Sequence, residues 1–333
     1  MLLAMLPIPG PTLETVPQPM HLPDGFLSVL VSIVLWAISV FVLGVALRRA
    51  GRTLGERQVP LLGVVAAAIF AGQMLNFSVA GGTSGHLLGA ALAAILLGPW
   101  PAILAMTSVV AVQALLFQDG GILALGANIF NMAIVGVSVA YAVYAPLARL
   151  LRRRPWGILV AGFAAAWAST FVASLSVALQ LALSGTSPAN VAVPAMGAIH
   201  ALIGLGEGAI TLGALAFVLA ARRDLLRLGQ PGPAGDRGVL LGGGAIALAL
   251  AALSPLAASD PDGLEWVAEE HGFLGMAQEA LYRVIPDYAL PGIADPALAT
   301  IAAGVVGVAV VFGVAYGVAQ AEKRSSAQER AQG

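Results

Sequence analysis

Apolar segments of membrane-crossing length recur along nearly the whole chain. A helix needs about 20 apolar residues to cross the hydrocarbon core of a bilayer. The segments that we identify are 27–47, 60–80, 86–98, 100–117, 126–148, 156–183, 196–221, 238–257 and 297–319. Only 10% of the residues are charged, whereas soluble domains usually carry about 25%. The sequence therefore predicts an all-α polytopic membrane protein with nine spans.

Basic residues are grouped after alternate segments. The groups are Arg48, Arg49, Arg52 and Arg57; Arg149, Arg152, Arg153 and Arg154; Arg222, Arg223 and Arg227; and Lys323 and Arg324. Loops rich in Lys and Arg stay on the cytoplasmic side of a membrane. With nine spans all four groups fall on that side. We therefore expect a multi-pass protein of the cell membrane, with its N-terminus outside and its C-terminus in the cytoplasm.

Composition also divides the chain into parts. Residues 1–19 are rich in proline and lack the basic start of a signal peptide, so we expect this extension to be absent from the mature chain or disordered. Residues 20–227 should form a seven-span core, 228–237 a Pro/Gly linker, and 238–333 a two-span tail. The acidic loop 258–296 between the tail helices is interpreted as a solvated loop, with attraction of cations as the alternative.

A histidine follows a methionine just before the first span. If the mature chain begins at Met20, its α-amine, the His21 backbone amide and the His21 imidazole lie within one dipeptide. Adjacent nitrogens of this kind close small chelate rings around a metal. Planar nitrogen ligation favours Ni(II) or Cu(II). Because the chain has no cysteine, thiolate sites are excluded, and Met20 and His21 are predicted metal ligands.

A glycine-rich loop presents a second histidine. His86 ends the run Gly81-Gly-Thr-Ser-Gly-His86. Irregular backbone at membrane depth is tolerated where it is buried in protein or lines a cavity. We expect this loop to dip inward and to offer the His86 imidazole as a fourth nitrogen. The alternative is a loop histidine at the level of the lipid headgroups.

Other polar residues are expected to support the ligands rather than to bind metal. Asn76 precedes the glycine-rich loop and can hold its backbone. His200 and Glu207 are seven residues apart, on one face of a helix; they either belong to the site or join neighbouring helices. Asp119 is expected to cap the helix that follows it, rather than to neutralise a cation.

The chain lacks the motifs of the enzymes that we considered. It contains no HExxH zinc-protease motif, no GxSxG nucleophile elbow and no GxxxxGK[ST] nucleotide loop. The sequence therefore predicts no enzymatic activity and no cofactor. A pump of this kind takes its energy from a separate protein.

Four motifs carry a family resemblance. They are Met20–Leu27 (MHLPDGFL), Gly82–Gly89 (GTSGHLLG), Gly126–Met132 (GANIFNM) and His200–Glu207 (HALIGLGE). Together they resemble the cobalt/nickel substrate-capture subunits of energy-coupling-factor importers, the CbiM/NikM family. The tail motif Asp260–Trp266 (DPDGLEW) resembles the small PDGLE-containing subunit, here fused behind the linker.

The resemblance implies a structure, a site and partners. It implies seven core helices, a metal site near the outer face, a transmembrane coupling subunit and two cytoplasmic ATPases. The implied ligands are the Met20 amine, the His21 amide and imidazole, and His86, with Ser84 in the surrounding motif. Two features depart from the family: nineteen residues precede Met20, and Ser78 follows Phe77 where proline is expected.

The expected function is capture of transported Ni(II) or Co(II), with no nucleic-acid partner. The alternative is a stand-alone divalent cation channel or a proton-coupled metal carrier. Secondary carriers usually show internal repeats with broken helices, and no convincing repeat is visible here. Both metals accept nitrogen ligands; the fused tail favours nickel slightly.

Overall fold

The computed structural model describes residues 21–52, 54–55, 58–226 and 237–332. Within these ranges the α-helices are α1 (Val29–Gly51), α2 (Gln58–Gln73), α3 (Ala90–Leu97), α4 (Pro99–Val112), α5 (Leu125–Asn128), α6 (Val137–Leu150), α7 (Pro155–Ser184), α8 (Ala189–Ala221), α9 (Arg237–Leu253), α10 (Gly263–Glu270) and α11 (Pro296–Gln332). The strands β1 (Phe77–Ser78) and β2 (Ser84–Gly85) form a short antiparallel hairpin.

Most of these helices suit a membrane. Among the described residues, seven helices are long and apolar enough to cross one. They are Val29–Gly51, Pro99–Phe117, Leu125–Leu150, Pro155–Ser184, Ala189–Ala221, Arg237–Leu256 and Pro296–Gln328. The prediction of an all-α polytopic membrane protein is confirmed.

The prediction of a third full span over 86–98 is wrong. The helix there, α3, has eight residues, which is about 12 Å at 1.5 Å per residue. The preceding helix α2 ends at Gln73, so residues 74–89 are a non-helical segment that includes the β1–β2 hairpin. We call residues 74–89 the re-entrant loop. Apolar composition alone does not distinguish such a loop and half-helix from a span.

Buried side chains satisfy the backbone of the re-entrant loop. Glu207 of α8 accepts hydrogen bonds from the backbone N–H groups of Leu88 at 2.7 Å and of Gly89 at 3.0 Å. Gln73 donates its side-chain amide to the carbonyl of Leu88 at 2.9 Å. The first N–H groups of a helix have no partner within it, so these contacts allow α3 to begin inside the bundle.

Two π-helical turns interrupt the bundle near one of its ends. They are Gln113–Phe117, which ends the α4 span, and Ile129–Gly136, which lies between α5 and α6. π-Helical turns are frequent at functional sites. The chain between the two turns meets residues 21–28 at this end of the bundle, since the Gly121 N–H donates to the Leu22 carbonyl at 2.9 Å. We call this the His21 end.

The tail helices pack directly on the core. Both α9 and α11 lie against α2. Small residues permit the close approach: Gly243 of α9 lies against Val64, and Gly307 of α11 lies against Phe70. Small residues at helix contacts are typical of packing in lipid. The tail is therefore part of one helix bundle with the core.

We expect Gly89→Ala to destabilise the protein. Gly89 has a φ of +77°, and a Cβ there would lie 2.7 Å from Ile69 Cγ2. The left-handed conformation costs a non-glycine residue roughly 1–2 kcal/mol before any clash, so the thermal midpoint in detergent should fall. Gly44→Ala is the control, because this helical position has no atom within 4 Å of an added Cβ and alanine favours a helix. Equal midpoints for the two variants would contradict this description of α3.

Candidate metal site

The segment that carries His21 is fixed by side chains from a distant part of the chain. Asn128 Oδ1 accepts the Leu22 N–H at 3.1 Å, and Asn128 Nδ2 donates to the Leu22 carbonyl at 3.0 Å. Asp24 Oδ1 accepts the Ala124 N–H at 2.8 Å. Thr186 donates its hydroxyl to the Phe26 carbonyl. These contacts hold His21 inside the bundle, where it is 4% exposed.

His21 lies against a buried carboxylate. Its Nδ1 atom is 3.0 Å from Asp119 Oδ1, and its backbone N–H donates to the same oxygen at 3.2 Å. Burial alone would lower the pKa of His21, but the Asp119 charge and contacts outweigh burial and raise it. Burial would likewise raise the pKa of Asp119, yet the pairing with His21 lowers it. Each group therefore favours the charged form of the other.

The prediction that Asp119 caps a helix is wrong. Its carboxylate points to His21, and Asp24 instead accepts the Ala124 N–H beside the start of α5. The left-handed backbone of Gln118 ends the first π-helical turn just before Asp119. Since Asp119 is 98 residues from His21, no local spacing marks this pair.

The re-entrant loop brings His86 beside His21. The two ring centroids are 5.5 Å apart, with the rings inclined by 71°. His86 Nδ1 is 3.1 Å from the Leu87 carbonyl. A carbonyl can only accept, so Nδ1 carries the proton and Nε2 carries the lone pair that can bind a metal. His200 has the same arrangement, with Nδ1 2.9 Å from the Met196 carbonyl.

A cavity of about 100 Å³ lies next to these rings. Its walls include His21, His86, His200, Asn128, Asn131, Met132, Thr170, Ser174, Met196, Asp262 and Gly263. One water molecule needs at least about 10–15 Å³ of such space, so the cavity can hold a metal ion together with water. Its donors include three imidazoles and two thioethers, which suit late transition metals better than Mg²⁺ or Ca²⁺.

Part of the tail lines this cavity, so the interpretation of 258–296 as a solvated loop is wrong for this part. The Ser84 N–H donates to the Pro261 carbonyl at 2.8 Å, and its hydroxyl donates to the Asp260 carbonyl at 2.7 Å. Asp262 is 5% exposed, and Oδ1 caps α10 through the N–H groups of Leu264 and Glu265, each at 2.8 Å. Burial raises the pKa of Asp262 to about 7.

Close packing explains the glycine that follows Asp262. A Cβ on Gly263 would lie 2.9 Å from His200 Cε1 and 2.6 Å from Ile203 Cδ1. Glycine at position 263 therefore allows the tail to lie closer to α8 than a residue with a side chain would. The sequence did not predict this contact, although the motif Asp260–Trp266 marks the segment that makes it.

The other candidate residues take different places. Met20 lies outside the described residues. Ser84 holds the tail, as described above, and His200 lines the cavity. Asn76 and Glu207 are absent from the cavity wall: the Asn76 carbonyl accepts the Ala258 N–H at 2.9 Å, and Glu207 holds the start of α3.

Within residues 21–52, 54–55, 58–226 and 237–332, no group of three His, Asp or Glu side chains can hold a metal ion. A metal here needs further donors, such as backbone nitrogens.

Comparison with known proteins gives the family. Residues 21–225 match the model of CbiM, the cobalt uptake substrate-specific transmembrane region, and residues 237–324 match the PDGLE domain. The putative fused nickel transport protein NikMN of Archaeoglobus fulgidus is 39% identical over 303 residues, which are 89% of this chain and 97% of the relative. The fused nickel transport protein NikMN of Rhodobacter capsulatus is 36% identical over 82% of this chain and 84% of its own length.

A solved structure is also similar. The crystal structure of a truncated transition metal transporter has 36% identity and a TM-score of 0.53; the match covers 60% of this chain and 98% of that one. The CbiM match includes the core helices and loops that line the cavity, and the PDGLE match includes the tail segment that lines it. The chain therefore belongs to the CbiM family of cobalt uptake substrate-specific transmembrane proteins, with a PDGLE domain fused behind the core.

Proposed function

We propose that this chain is the substrate-binding membrane subunit of an energy-coupling-factor importer and that it captures Ni(II) or Co(II). The main support is the pair of imidazoles of buried His21 and partly buried His86, with ring centroids 5.5 Å apart beside a cavity that both residues line. Family membership and the nickel transport proteins among the relatives support it. The relatives that match both parts of the chain are named for nickel, so nickel is the first metal to test.

The proposed ligands are four nitrogens. Two come from His21, one is the Nε2 atom of His86, and the fourth is the Met20 nitrogen, which is an amine where the mature chain begins at Met20. The His21 N–H donates to Asp119 Oδ1 at 3.2 Å. Ligation by this nitrogen replaces that hydrogen bond and releases the amide proton. Planar nitrogen donors favour nickel over cobalt in the general stability order.

The proposed orientation puts the His21 end outside the cell. Basic residues at the opposite helix ends, such as Arg48 and Arg49 in the last turn of α1, support it through the positive-inside rule. A coupling subunit and two cytoplasmic ATPases would then drive delivery of the metal, because the chain carries no nucleotide-binding loop motif. Metal uptake that persists without those partners would contradict this assignment.

We expect His86→Ala to abolish tight nickel binding. The change removes a ligand outside the His21 segment. Nickel affinity should therefore fall at least about 100-fold, which is the upper end of the loss seen when a hydrogen-bond partner of a metal ligand is removed. Calorimetric titration of purified protein with Ni(II) measures it. His271→Ala is the matched control, because His271 is exposed in the tail and absent from the cavity wall. Near-wild-type affinity in His86→Ala would reject His86 as a ligand, and thermal unfolding of both variants verifies that they are folded.

Nickel affinity should fall steeply as the pH decreases. The pKa of His21 is raised above its ordinary 6.5, so a proton competes with the metal and the fall should begin above that value. Binding must also release the proton of the His21 amide, so more than one proton should leave per metal. A purely carboxylate site would keep its affinity to roughly pH 5, since Asp and Glu titrate near about 4. Calorimetry in buffers of different ionisation enthalpy counts the protons; none released at pH 7 would contradict the nitrogen site.

A further inference from the structure

A tyrosine from the tail loop reaches the carboxylate beside His21. The Tyr288 hydroxyl donates to Asp119 Oδ2 at 2.5 Å. Its ring stacks on Phe117, with centroids 4.8 Å apart and the planes inclined by 15°, and it also contacts Phe70. The apolar rings of the core thus fix the position of Tyr288, and its hydroxyl faces the one buried acid that touches His21 in the described part of the chain.

The two oxygens of Asp119 have different partners. Oδ2 accepts the Tyr288 hydroxyl, whereas Oδ1 faces both the backbone N–H and Nδ1 of His21. The terminal torsion of an aspartate is broad, so a carboxylate held at one oxygen only can rotate. Tyr288 therefore restricts the orientation in which Asp119 meets His21.

The rest of the loop is attached to the same part of the core. The Ile285 N–H donates to the Leu116 carbonyl at 3.0 Å, and the Tyr282 hydroxyl donates to the Leu115 carbonyl at 3.0 Å. The last carbonyls of a helix lack partners within it, and the loop satisfies two of them at the end of the α4 span. These contacts attach the loop, but of the described tail residues only Tyr288 hydrogen-bonds to Asp119.

We propose that Tyr288 is a positioning residue for metal capture: it holds Asp119, and Asp119 holds the backbone N–H and the imidazole of His21 in one orientation until the metal replaces those contacts. The PDGLE domain then contributes to the metal site of the core through a hydrogen bond, in addition to lining the cavity. Loss of a hydrogen-bond partner that positions a ligand typically costs 10–100-fold in metal affinity. The inference rests on the proposed function, because it requires that His21 binds the transported metal.

Two tyrosine variants separate positioning from attachment of the loop. Tyr288→Phe removes only the hydroxyl and keeps the ring that stacks on Phe117. Tyr282→Phe is the matched control, since it also removes one hydroxyl that joins the loop to the core but does not touch Asp119. Ni(II) titration of the full chain should give affinity about 10-fold or more below wild type for Tyr288→Phe, and within twofold of wild type for Tyr282→Phe. Equal losses in both variants would overturn the positioning role in favour of loop attachment.

A double-mutant cycle tests whether Tyr288 acts through Asp119. If it does, Tyr288→Phe should have little further effect in an Asp119→Asn background, and the losses should be far from additive. The rate of Ni(II) association should fall in Tyr288→Phe and not in Tyr282→Phe, because a His21 segment that is no longer held in one orientation must reorder before it binds the metal. Additive losses, or wild-type affinity in Tyr288→Phe, would overturn the inference while leaving the proposed function intact. Absence of nickel binding by the wild-type chain would instead overturn the proposed function, and this inference with it.

Discussion

The buried Asp119 carboxylate is the contact on which the arrangement of the candidate site depends. It joins three parts of the chain that are distant in sequence: the His21 segment, the end of the α4 span and the tail loop at Tyr288. A buried charge without partners is strongly destabilising. His21 and Tyr288 are the partners of the buried Asp119 carboxylate, and these contacts fix the position of the His21 imidazole.

A second buried carboxylate performs the equivalent task for His86. Glu207 accepts the N–H groups of Leu88 and Gly89 and so lets the chain enter the bundle without completing a helix. The re-entrant loop then places His86 beside His21. Neither carboxylate needs to bind the metal; each accepts backbone N–H groups that would otherwise be buried without partners. The site is thus formed by the same interactions that allow polar groups inside an apolar bundle.

Sequence patterns predicted the long helices well, because a span is defined by length and apolar composition alone. They also predicted that His86 belongs to an inward loop, since glycines in an apolar context indicate irregular backbone. They did not predict that α3 is a half-helix, because its eight residues are all apolar and apolar composition does not show where a helix begins. Asp119, Asp262 and Tyr288 were missed or misassigned because their partners are set by tertiary packing. An acidic loop is usually solvated, and nothing in its composition indicated that residues 260–263 and Tyr288 pack on the core.

X-ray absorption at the nickel edge of the metal-loaded full chain tests the central claim most directly. We expect coordination mainly by nitrogen, with the multiple-scattering signature of two imidazoles, and a signature of one imidazole in His86→Ala protein that has been loaded at high nickel concentration. A six-coordinate oxygen environment, unchanged by His86→Ala, would contradict capture at His21 and His86.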